Sequence, residues 1–197
     1  MNRGSRKKVG ILGGNFNPVH HAHLMVADQV AQQMQLDQVL LMPENIPPHI
    51  DEKTTISPEH RVKMLELAIA DNPRLSLELS EIERGGKSYT YDSLKFLTEK
   101  NPTTDYYFII GSDMVDYLPK WYKIEELLKM VHFIAIKRNE TVQESLYPVT
   151  WLNVPLLPIS STMIREMIEN KIAPTYLLPQ NVLNYINETK IYQKKHD

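Results

Sequence analysis

Residues 9–24 of this chain decide its fold: Val9-Gly10-Ile11-Leu12-Gly13-Gly14-Asn15-Phe16-Asn17-Pro18-Val19-His20-His21-Ala22-His23-Leu24. An apolar strand ends in two glycines, a turn containing Asn and Pro follows, and a helix begins beside a group of histidines. Glycine lets the backbone approach an anion closely, and the first turn of a helix offers free N–H groups at the positive end of its dipole. The stretch therefore predicts a strand, a phosphate-binding loop and a helix in succession.

Two histidines of this stretch, His20 and His23, fall on one face of the first helical turn. Both imidazoles could donate hydrogen bonds to the same phosphoryl group, and the site would be cationic without a lysine. The backbone at Gly13 and Gly14 would lie against the phosphates. The plain alternative is that the histidines are exposed residues at the start of a helix.

Three other motifs fit this stretch less well. A P-loop requires G-x-x-x-x-G-K-[ST] and the dinucleotide fingerprint requires G-x-G-x-x-G, and neither is present, although Glu44 after the second predicted strand would suit the fingerprint. A zinc site could be built from four histidines: His20, His21, His23 and His49. Zinc-binding pairs on a helix are usually four residues apart and the chain has no cysteine, so zinc is the weaker interpretation.

The composition indicates one globular domain. With 197 residues, of which 42% are hydrophobic and 23% charged, the chain can bury a sizeable core, and we expect a single domain over residues 1–197. We expect residues 1–7 to form a flexible leader. A C-terminal helical part, over about residues 160–192, is expected to pack on the same domain.

Charge and cysteine content exclude several functions. A net charge of −2 gives no support for a nucleic-acid or membrane surface, and the apolar runs have the length of strands rather than of membrane spans. The basic leader lacks the apolar core of a secretion signal. The absence of cysteine excludes disulfides and thiol catalysis and is compatible with the cytoplasm.

Apolar runs of strand length alternate with amphipathic stretches along the chain. The predicted strands begin at Val9 and continue with residues 39–42, 75–79, 106–110, 133–136 and 151–157. The predicted helices run over about residues 21–35, from Pro58 to Asn72, from the 83–90 loop to Lys100, from Pro119 to about Met130, from Ser160 onward, and from Pro179 to about Glu188. This alternation predicts an α/β fold with a doubly wound, mostly parallel sheet, whose ligands bind beyond the carboxyl ends of the strands.

A second cluster of polar residues, Ile159-Ser160-Ser161-Thr162-Met163-Ile164-Arg165, follows the last predicted strand. Hydroxyl and N–H groups at the start of a helix bind phosphate, and Arg165 lies about one turn further on, within reach of the same anion. The alternative is an ordinary serine N-cap followed by a surface arginine.

Together the two clusters resemble the signatures of the nucleotidylyltransferase superfamily, an H-x-G-H-type motif and I-S-S-T-x-x-R. The sequence departs from the first signature at Asn17, where the family generally has Asp, and at Ala22, where it generally has Gly. Asn17 removes a charge but keeps a capping oxygen, and Ala22 requires only an ordinary helical backbone. The resemblance implies a Rossmann-like nucleotidylyltransferase fold and the transfer of a nucleoside monophosphate from a nucleoside triphosphate.

The middle of the chain extends this resemblance to bacterial nicotinate-nucleotide adenylyltransferases. The stretches that carry it are residues 43–49, 88–90, 111–113, 118–121 and 137–138. Trp121 could stack on a pyridinium ring through a cation–π contact, and backbone N–H groups of Tyr89 and Thr90 at a helix start could bind the nicotinate carboxylate. Alternatively, Trp121 is a core or rim residue that packs on Tyr122, and Thr90 is a simple N-cap.

The resemblance implies a role for each matching residue. The implied catalytic residues are His20, His23, Ser161 and Arg165. The implied ATP-binding residues are Gly13, Gly14, Asn15, Phe16, Gly111, Asp113, Arg138, Ser160 and Thr162. The implied mononucleotide-binding residues are His49, Ser88, Tyr89, Thr90 and Trp121. After His49 the family often has a basic residue, and this sequence has Ile50 there, so the contact with the mononucleotide phosphate would be made by Lys53 or Arg138.

The implied reaction is the attack of nicotinate mononucleotide on the α-phosphorus of ATP, which gives deamido-NAD and pyrophosphate. No carboxylate cluster suggests a metal cage, so Mg²⁺ is expected to arrive on the ATP phosphates. Two alternatives remain open: an adenylyltransferase for nicotinamide mononucleotide or phosphopantetheine, and a nucleotide-sensing protein without turnover. The sequence also leaves open whether the chain forms a homo-oligomer.

Overall fold

The structure of the chain is a computed structural model that describes residues 6–46, 56–137 and 145–193. The described strands are β1 (Lys7–Gly14), β2 (Gln38–Pro43), β3 (Leu75–Leu77), β4 (Thr104–Gly111), β5 (His132–Ile136) and β6 (Val149–Leu152). The described α-helices are α1 (His21–Gln33), α2 (Pro58–Ile69), α3 (Ser80–Arg84), α4 (Thr90–Lys100), α5 (Ser112–Val115), α6 (Ile124–Met130), α7 (Ser161–Glu169) and α8 (Gln180–Thr189). None of these helices is long and apolar enough to cross a membrane.

The six strands form one sheet in the order β3-β2-β1-β4-β5-β6, and all five neighbouring pairs are parallel. The strand order reverses between β1 and β4, where Leu12 lies beside Ile109. Open parallel sheets bind ligands at such a reversal, beyond the carboxyl ends of the strands. The predicted doubly wound, Rossmann-like α/β fold is confirmed.

Helices cover both faces of the sheet because successive strand residues point to opposite sides. On β4, Phe108 faces one hydrophobic cluster and Ile109 the other. The cluster around Ile109 includes residues of α1, α2, α7 and α8: Ala27, Val30, Leu65, Ile164 and Ile186. The cluster around Phe108 includes residues of α4 and α6: Leu94, Leu97 and Leu127. β1 lies between the two clusters, and its Ile11 is completely buried.

Gly10 in β1 allows the end of α1 to approach the sheet closely. A Cβ atom at this position would lie 2.8 Å from Val39 Cγ2 and 2.9 Å from Leu36 Cδ1. Both distances are shorter than van der Waals contact, so a larger residue would push α1 and β2 away from β1. The close approach matters because α1 begins at the histidine motif.

The C-terminal helix α8 packs against α2. The hydroxyl of Tyr185 in α8 lies 2.7 Å from Nδ1 of His60, and the side-chain amide of Asn181 donates to the carbonyl of Leu67 at 2.6 Å. Ile164 and Ile186 share the hydrophobic cluster of the central sheet. The single domain over residues 1–197 remains a prediction, and the shared core agrees with it.

Several element boundaries differ from the sequence-based expectations. β1 begins at Lys7, which was assigned to the leader, and the Arg6 guanidinium donates to Asp105 at 2.5 Å and to the carbonyl of Pro102 at 2.9 Å. The last strand ends at Leu152 rather than at residue 157, because Pro155 and Pro158 lack the N–H groups of a ladder.

The helix predicted from Pro119 to Met130 is interrupted. A 3₁₀ turn covers Leu118–Lys120, and α6 begins only at Ile124, after Lys123 with a φ of 55°. The 3₁₀ turn ends at Trp121, whose backbone is extended with a φ of −73° and a ψ of 140°, and the left-handed Lys123 then precedes α6. The short helices α3 and α5 carry no sequence periodicity and were not predicted.

Candidate active site

A cavity of about 810 Å³ lies at the carboxyl ends of β1 and β4, where the strand order reverses. Its walls come from both strand ends, from the first turns of α1 and from the segment that leads into α7. The lining residues are Leu12, Gly13, His20, Ala22, His23, Val26, Ile109, Ile110, Gly111, Ile136, Leu156, Leu157, Pro158, Ile159, Ser160 and Ser161. The two signature stretches thus border one cavity.

The imidazole rings of His20 and His23 are stacked, with centroids 3.7 Å apart and an angle of 20° between the planes. The backbone N–H of His20 donates a hydrogen bond to Nδ1 of His23 at 3.3 Å. Since Nδ1 accepts this hydrogen bond, the proton of neutral His23 resides on Nε2. His23 therefore offers an N–H donor from its Nε2 atom.

Both histidines are neutral at physiological pH. Burial lowers the pKa of His20 to about 4, with a smaller effect from the nearby His21. Burial also lowers the pKa of His23 to about 3, with a smaller effect from His20. The expectation of a cationic site is therefore wrong for the chain without ligand, because it assumed histidines in contact with water.

The loop between β1 and α1 is held from several sides. Phe16, with a φ of 48°, is buried and its ring meets the ring of His23 edge-on at 5.0 Å. The carbonyl of Asn17 accepts a hydrogen bond from Arg165 Nη1 at 2.7 Å. Asn15 also lies in this loop, where its carbonyl accepts from Arg61 Nη1 at 3.0 Å. The loop geometry thus depends on residues far away in the sequence.

The start of α7 docks on the same loop. The Ser161 hydroxyl donates to the carbonyl of Pro18 at 2.8 Å, and Arg165 Nη2 donates to Thr162 Oγ1 at 3.2 Å. The Ser160 hydroxyl accepts from the Met163 N–H at 3.2 Å. Ser160 is thus the N-cap residue, while Ser161 and Arg165 hold the second signature stretch against the first.

Gly111 lines the cavity at the end of β4 and leads directly into α5. Asp113 lies in the first turn of α5 and is exposed. Two predicted site residues, His49 and Arg138, lie outside the described residues, as does Lys53. Their predicted roles remain predictions.

The residues predicted to bind the mononucleotide lie around the N-terminus of α4. Tyr89 is its N-cap residue, Thr90 is its first residue, and the buried Ser88 precedes them. The Ser88 hydroxyl accepts from the Asn45 N–H at 2.9 Å, and the Ser88 N–H donates to the Ile46 carbonyl at 3.0 Å. These bonds connect the loop after β2 to the start of α4.

Trp121 packs edge-on against Phe108 and Phe133, with ring centroids 6.0 and 6.1 Å apart. It is half-buried at the rim of the cluster around Phe108. The alternative expectation placed it on Tyr122, but the Tyr122 ring instead contacts Tyr89 and Tyr91, at 5.8 and 5.6 Å.

Two residues of this region were not found from the sequence. Arg61 is completely buried on the inner face of α2, together with Met64 and Leu65. Val62, Leu65 and Ile69 repeat at helical spacing in α2, but only Leu65 of these three is fully buried. The sequence signal for Arg61 was its place four residues before Leu65, on the same helical face. The second residue that was not found from the sequence is Tyr192, near the C-terminus.

Residues 11–167 match the family described as cytidylyltransferase-like, and the chain therefore belongs to this family of nucleotidyltransferases. Comparison with curated relatives shows to which group within this family the chain is most similar in sequence. The "probable nicotinate-nucleotide adenylyltransferase" of Lactococcus lactis is 74% identical over 99% of this chain and 100% of that protein. The protein of the same name from Streptococcus pneumoniae is 61% identical over 95% of this chain and 90% of that protein. The chain belongs to the nicotinate-nucleotide adenylyltransferase family, and the resemblance predicted from the motifs is confirmed.

Solved structures share the fold. Nicotinic acid mononucleotide adenylyltransferase of Plasmodium falciparum, in complex with NaAD, aligns with a TM-score of 0.76 at 24% identity, covering 94% of this chain and 97% of that chain. The same protein in complex with APC aligns with a TM-score of 0.77 at 22% identity and the same coverage.

Proposed function

We propose that this chain transfers the adenylyl group of ATP to nicotinate mononucleotide, giving deamido-NAD and pyrophosphate in NAD biosynthesis. The observation that carries the proposal is the convergence of both signature stretches on the cavity at the β1–β4 reversal. High identity to relatives named nicotinate-nucleotide adenylyltransferase supports the choice of acceptor. The interpretation as a phosphopantetheine enzyme has no comparable support.

The phosphates of ATP fit the part of the cavity between α1 and α7. Residues at the N-termini of both helices line this region, and helix N-termini favour anions. Gly111, at the end of β4, allows the adenosine to lie against the backbone. We expect Gly13, Gly14, Asn15 and Phe16 to shape the loop beneath the phosphates.

The reaction joins two anions, so alignment and charge neutralisation are the main tasks of the protein. Neutral His23 donates its Nε2 proton to an oxygen of the α-phosphoryl group, and His20 lies stacked beside it. A nearby phosphate favours the charged imidazole, so ATP binding should raise the pKa of both histidines.

The start of α7 is the proposed binding site of the leaving pyrophosphate. Arg165 uses two of its five N–H donors on Asn17 and Thr162, and the remaining donors can bind phosphate oxygens. Ser161 is held at the cavity wall by its bond to Pro18. Arg165 can therefore stabilise the charge that develops on the leaving group, and Ser161, whose hydroxyl proton is donated to Pro18, can add its backbone N–H from the first turn of α7.

The acceptor nucleotide belongs near the N-terminus of α4. The N–H groups of Tyr89 and Thr90 are suited to the nicotinate carboxylate, since the first turn of a helix lacks internal partners for them. The half-buried ring of Trp121 is the proposed partner of the pyridinium ring, through a cation–π contact. Ser88 and His49 complete the proposed acceptor site.

The residues that line the cavity contain imidazole, hydroxyl and N–H groups but no carboxylate. In the described ranges no three His, Cys, Asp or Glu side chains come together as a metal site. This donor set suits phosphate oxygens better than Mg²⁺, which prefers oxygen ligands and usually binds with substrate phosphates. Mg²⁺ would therefore enter on ATP and reduce the charge of its phosphates. We place the reaction in the cytoplasm, in keeping with a chain that has no cysteine.

The test is pyrophosphate release from Mg-ATP with one acceptor at a time: nicotinate mononucleotide, nicotinamide mononucleotide or phosphopantetheine. We expect release with the nicotinate nucleotide to exceed release with the other two. Preference for another acceptor would overturn the substrate assignment. ATP binding without release for any acceptor would instead support a nucleotide-sensing protein.

A further inference from the structure

The largest of the fully buried side chains is a charged one, Arg61, in the first turns of α2. Burying a guanidinium is costly because the group stays charged, so such a residue is expected to make specific hydrogen bonds. Its Nη1 donates to the carbonyl of Asn15 at 3.0 Å, and its Nη2 donates to the carbonyl of Asn45 at 3.3 Å. The two acceptors belong to different loops.

Asn15 lies in the phosphate loop after β1, and Asn45 lies in the loop after β2. The two strands are parallel neighbours, and the last bond between them runs from the Glu44 N–H to the Gly14 carbonyl at 3.0 Å. Beyond this point the chains leave the ladder. Arg61 bridges them at the first position where the backbones no longer hydrogen-bond to each other directly.

Asn45 extends this connection to the acceptor region. Its N–H donates to Ser88 Oγ at 2.9 Å, and its side-chain amide donates to the Gly86 carbonyl at 3.0 Å. The next residue, Ile46, accepts from the Ser88 N–H at 3.0 Å. Residues 86–88 lead directly into the N-terminus of α4. Arg61 is therefore connected to the start of α4 through Asn45, which bonds to both.

We propose that Arg61 is a positioning residue that sets the spacing between the phosphate loop and the proposed acceptor site. The inference rests on the proposed function, because the two loops matter together only if a donor and an acceptor nucleotide meet there. Arg61 lies behind the loops, bonded to backbone carbonyls, and is not among the cavity-lining residues. It acts through alignment of the attacking phosphate with the α-phosphorus, to which transfer rates are very sensitive.

The guanidinium suits this task better than an ammonium group would. Its planar fork presents donors in two fixed directions, whereas lysine offers a single flexible charge. Burial lowers the pKa of Arg61, and the neighbouring carboxyl groups of Glu44 and Glu59 partly offset this effect. Arg61→Lys therefore keeps the charge but loses the simultaneous contact with two carbonyls.

The experiment compares Arg61→Lys with Arg74→Lys, a matched substitution at an exposed arginine that pairs with Asp28 at 3.5 Å. Steady-state pyrophosphate release gives kcat and the two KM values, and calorimetry gives the affinity for α,β-methylene-ATP. Circular dichroism and the thermal midpoint establish that each variant is folded. Amide hydrogen exchange reports the opening of residues 44–46 and 86–90.

For folded Arg61→Lys we expect kcat to fall by about 10- to 100-fold, while the affinity for the ATP analogue changes by less than about threefold. Hydrogen exchange should accelerate in residues 44–46 and 86–90. Arg74→Lys should match the wild type in both readouts. A wild-type kcat in folded Arg61→Lys, or a rise in KM with kcat unchanged, would overturn the inference.

If Arg61→Lys does not fold, Asn45→Ala decides, because it removes the side-chain amide that donates to the Gly86 carbonyl and leaves the Asn45 carbonyl that Arg61 binds. A wild-type kcat in Asn45→Ala would then overturn the inference, and a several-fold loss without loss of ATP-analogue affinity would support it. If the wild-type chain releases no pyrophosphate with any acceptor, the proposed function fails. In that case unchanged hydrogen exchange in Arg61→Lys, or in Asn45→Ala where Arg61→Lys does not fold, would overturn the positioning role separately.

Discussion

The hydroxyl of Tyr192 donates a hydrogen bond to Oδ1 of Asn17 over 2.5 Å, across 175 positions of the sequence. Asn17 is buried, with 4% of its surface exposed. Burial raises the pKa of Tyr192 well above its ordinary value, so the hydroxyl stays protonated and remains a donor. Position 17 therefore requires an acceptor oxygen. Asn supplies that oxygen without the buried charge of the Asp that the superfamily generally has.

Tyr192→Phe removes this hydrogen bond and leaves a buried amide oxygen with one partner fewer. We expect the free energy of unfolding to fall by about 1 kcal/mol, the usual net worth of such a bond. Urea denaturation at neutral pH measures the difference. Tyr176→Phe is the matched control, because Tyr176 is 89% exposed. Equal stability of Tyr192→Phe and the wild type would contradict the role of this bond.

His23→Ala removes the Nε2 donor that the proposed mechanism uses. We expect kcat to fall by about 100- to 1,000-fold, the usual loss when one donor to a developing charge is removed. ATP affinity should change far less, since backbone N–H groups also bind the phosphates. Steady-state kinetics and calorimetry separate the two effects.

The control for this prediction is His132→Ala. His132 is exposed at the start of β5, at the amino ends of the parallel strands, whereas the cavity lies at their carboxyl ends. The control should keep the wild-type kcat. Turnover in His23→Ala that is comparable with the wild type would remove this histidine from the mechanism.

Glu44→Gln should change the pH dependence of stability. Burial and the neighbouring Glu81 raise the pKa of Glu44 to about 7 from a model-compound value of 4.5, although Arg61 opposes the shift. Between these two values the folded state binds more protons than the unfolded state, so this carboxyl costs the wild type stability as the pH rises through that window. The slope is at most about 1.4 kcal/mol per pH unit.

The stability of Glu44→Gln relative to the wild type should therefore increase from pH 4.5 to pH 7 and stay level above it. Urea denaturation over this range measures it. Glu99→Gln, at a side chain that is 67% exposed, is the control and should follow the wild type. A difference between Glu44→Gln and the wild type that does not change with pH would show that Glu44 has no shifted pKa.

Trp121 should report acceptor binding by fluorescence. The chain has two tryptophans, so Trp151→Phe leaves Trp121 as the single indole. Nicotinate mononucleotide is expected to change its emission strongly and ATP only weakly, because the pyridinium ring would contact the indole. Unchanged emission at saturating nicotinate mononucleotide would contradict the proposed contact.

Replacing Trp121 with Ala should also affect stability. The ring contacts with Phe108 and Phe133 are lost, and we expect a loss of up to about 3 kcal/mol, less than for a fully buried tryptophan. Trp121→Phe should retain much of this stability but bind nicotinate mononucleotide less tightly, since phenylalanine is the weaker partner for a cation. Chemical denaturation and KM values distinguish the two effects.

Local sequence patterns were sufficient for most of the sheet and for the location of the cavity. Continuous apolar runs such as 106–110 can be stable only when buried on both faces, and parallel strands bring their following loops to one edge. The glycines at the end of β1 and the serines at the start of α7 could therefore be assigned to one crevice. Element boundaries were less predictable where proline or a left-handed residue, such as Lys123, interrupts the pattern.

The ionisation state of the histidines could not be predicted from spacing. His20 and His23 were expected to carry charge, and burial instead makes both neutral. Burial depends on which residues pack over the helix start, here Phe16 and the stacked imidazoles themselves. A sequence pattern contains no information on that desolvation.

The order of residues along the chain was enough to predict an α/β fold and two stretches suited to phosphate, because hydrophobic period, glycine and helix-capping residues act over a few neighbours. The class of nucleotidyltransferase followed from the resemblance of these stretches to the superfamily signatures. The long-range contacts had to come from the folded chain. Arg61 joins Asn15 to Asn45, and Tyr192 bonds to Asn17, because helices on one face of the sheet bring distant residues behind the same loops. These partners are mainly backbone carbonyls and buried side chains, whose proximity is a property of packing rather than of local sequence.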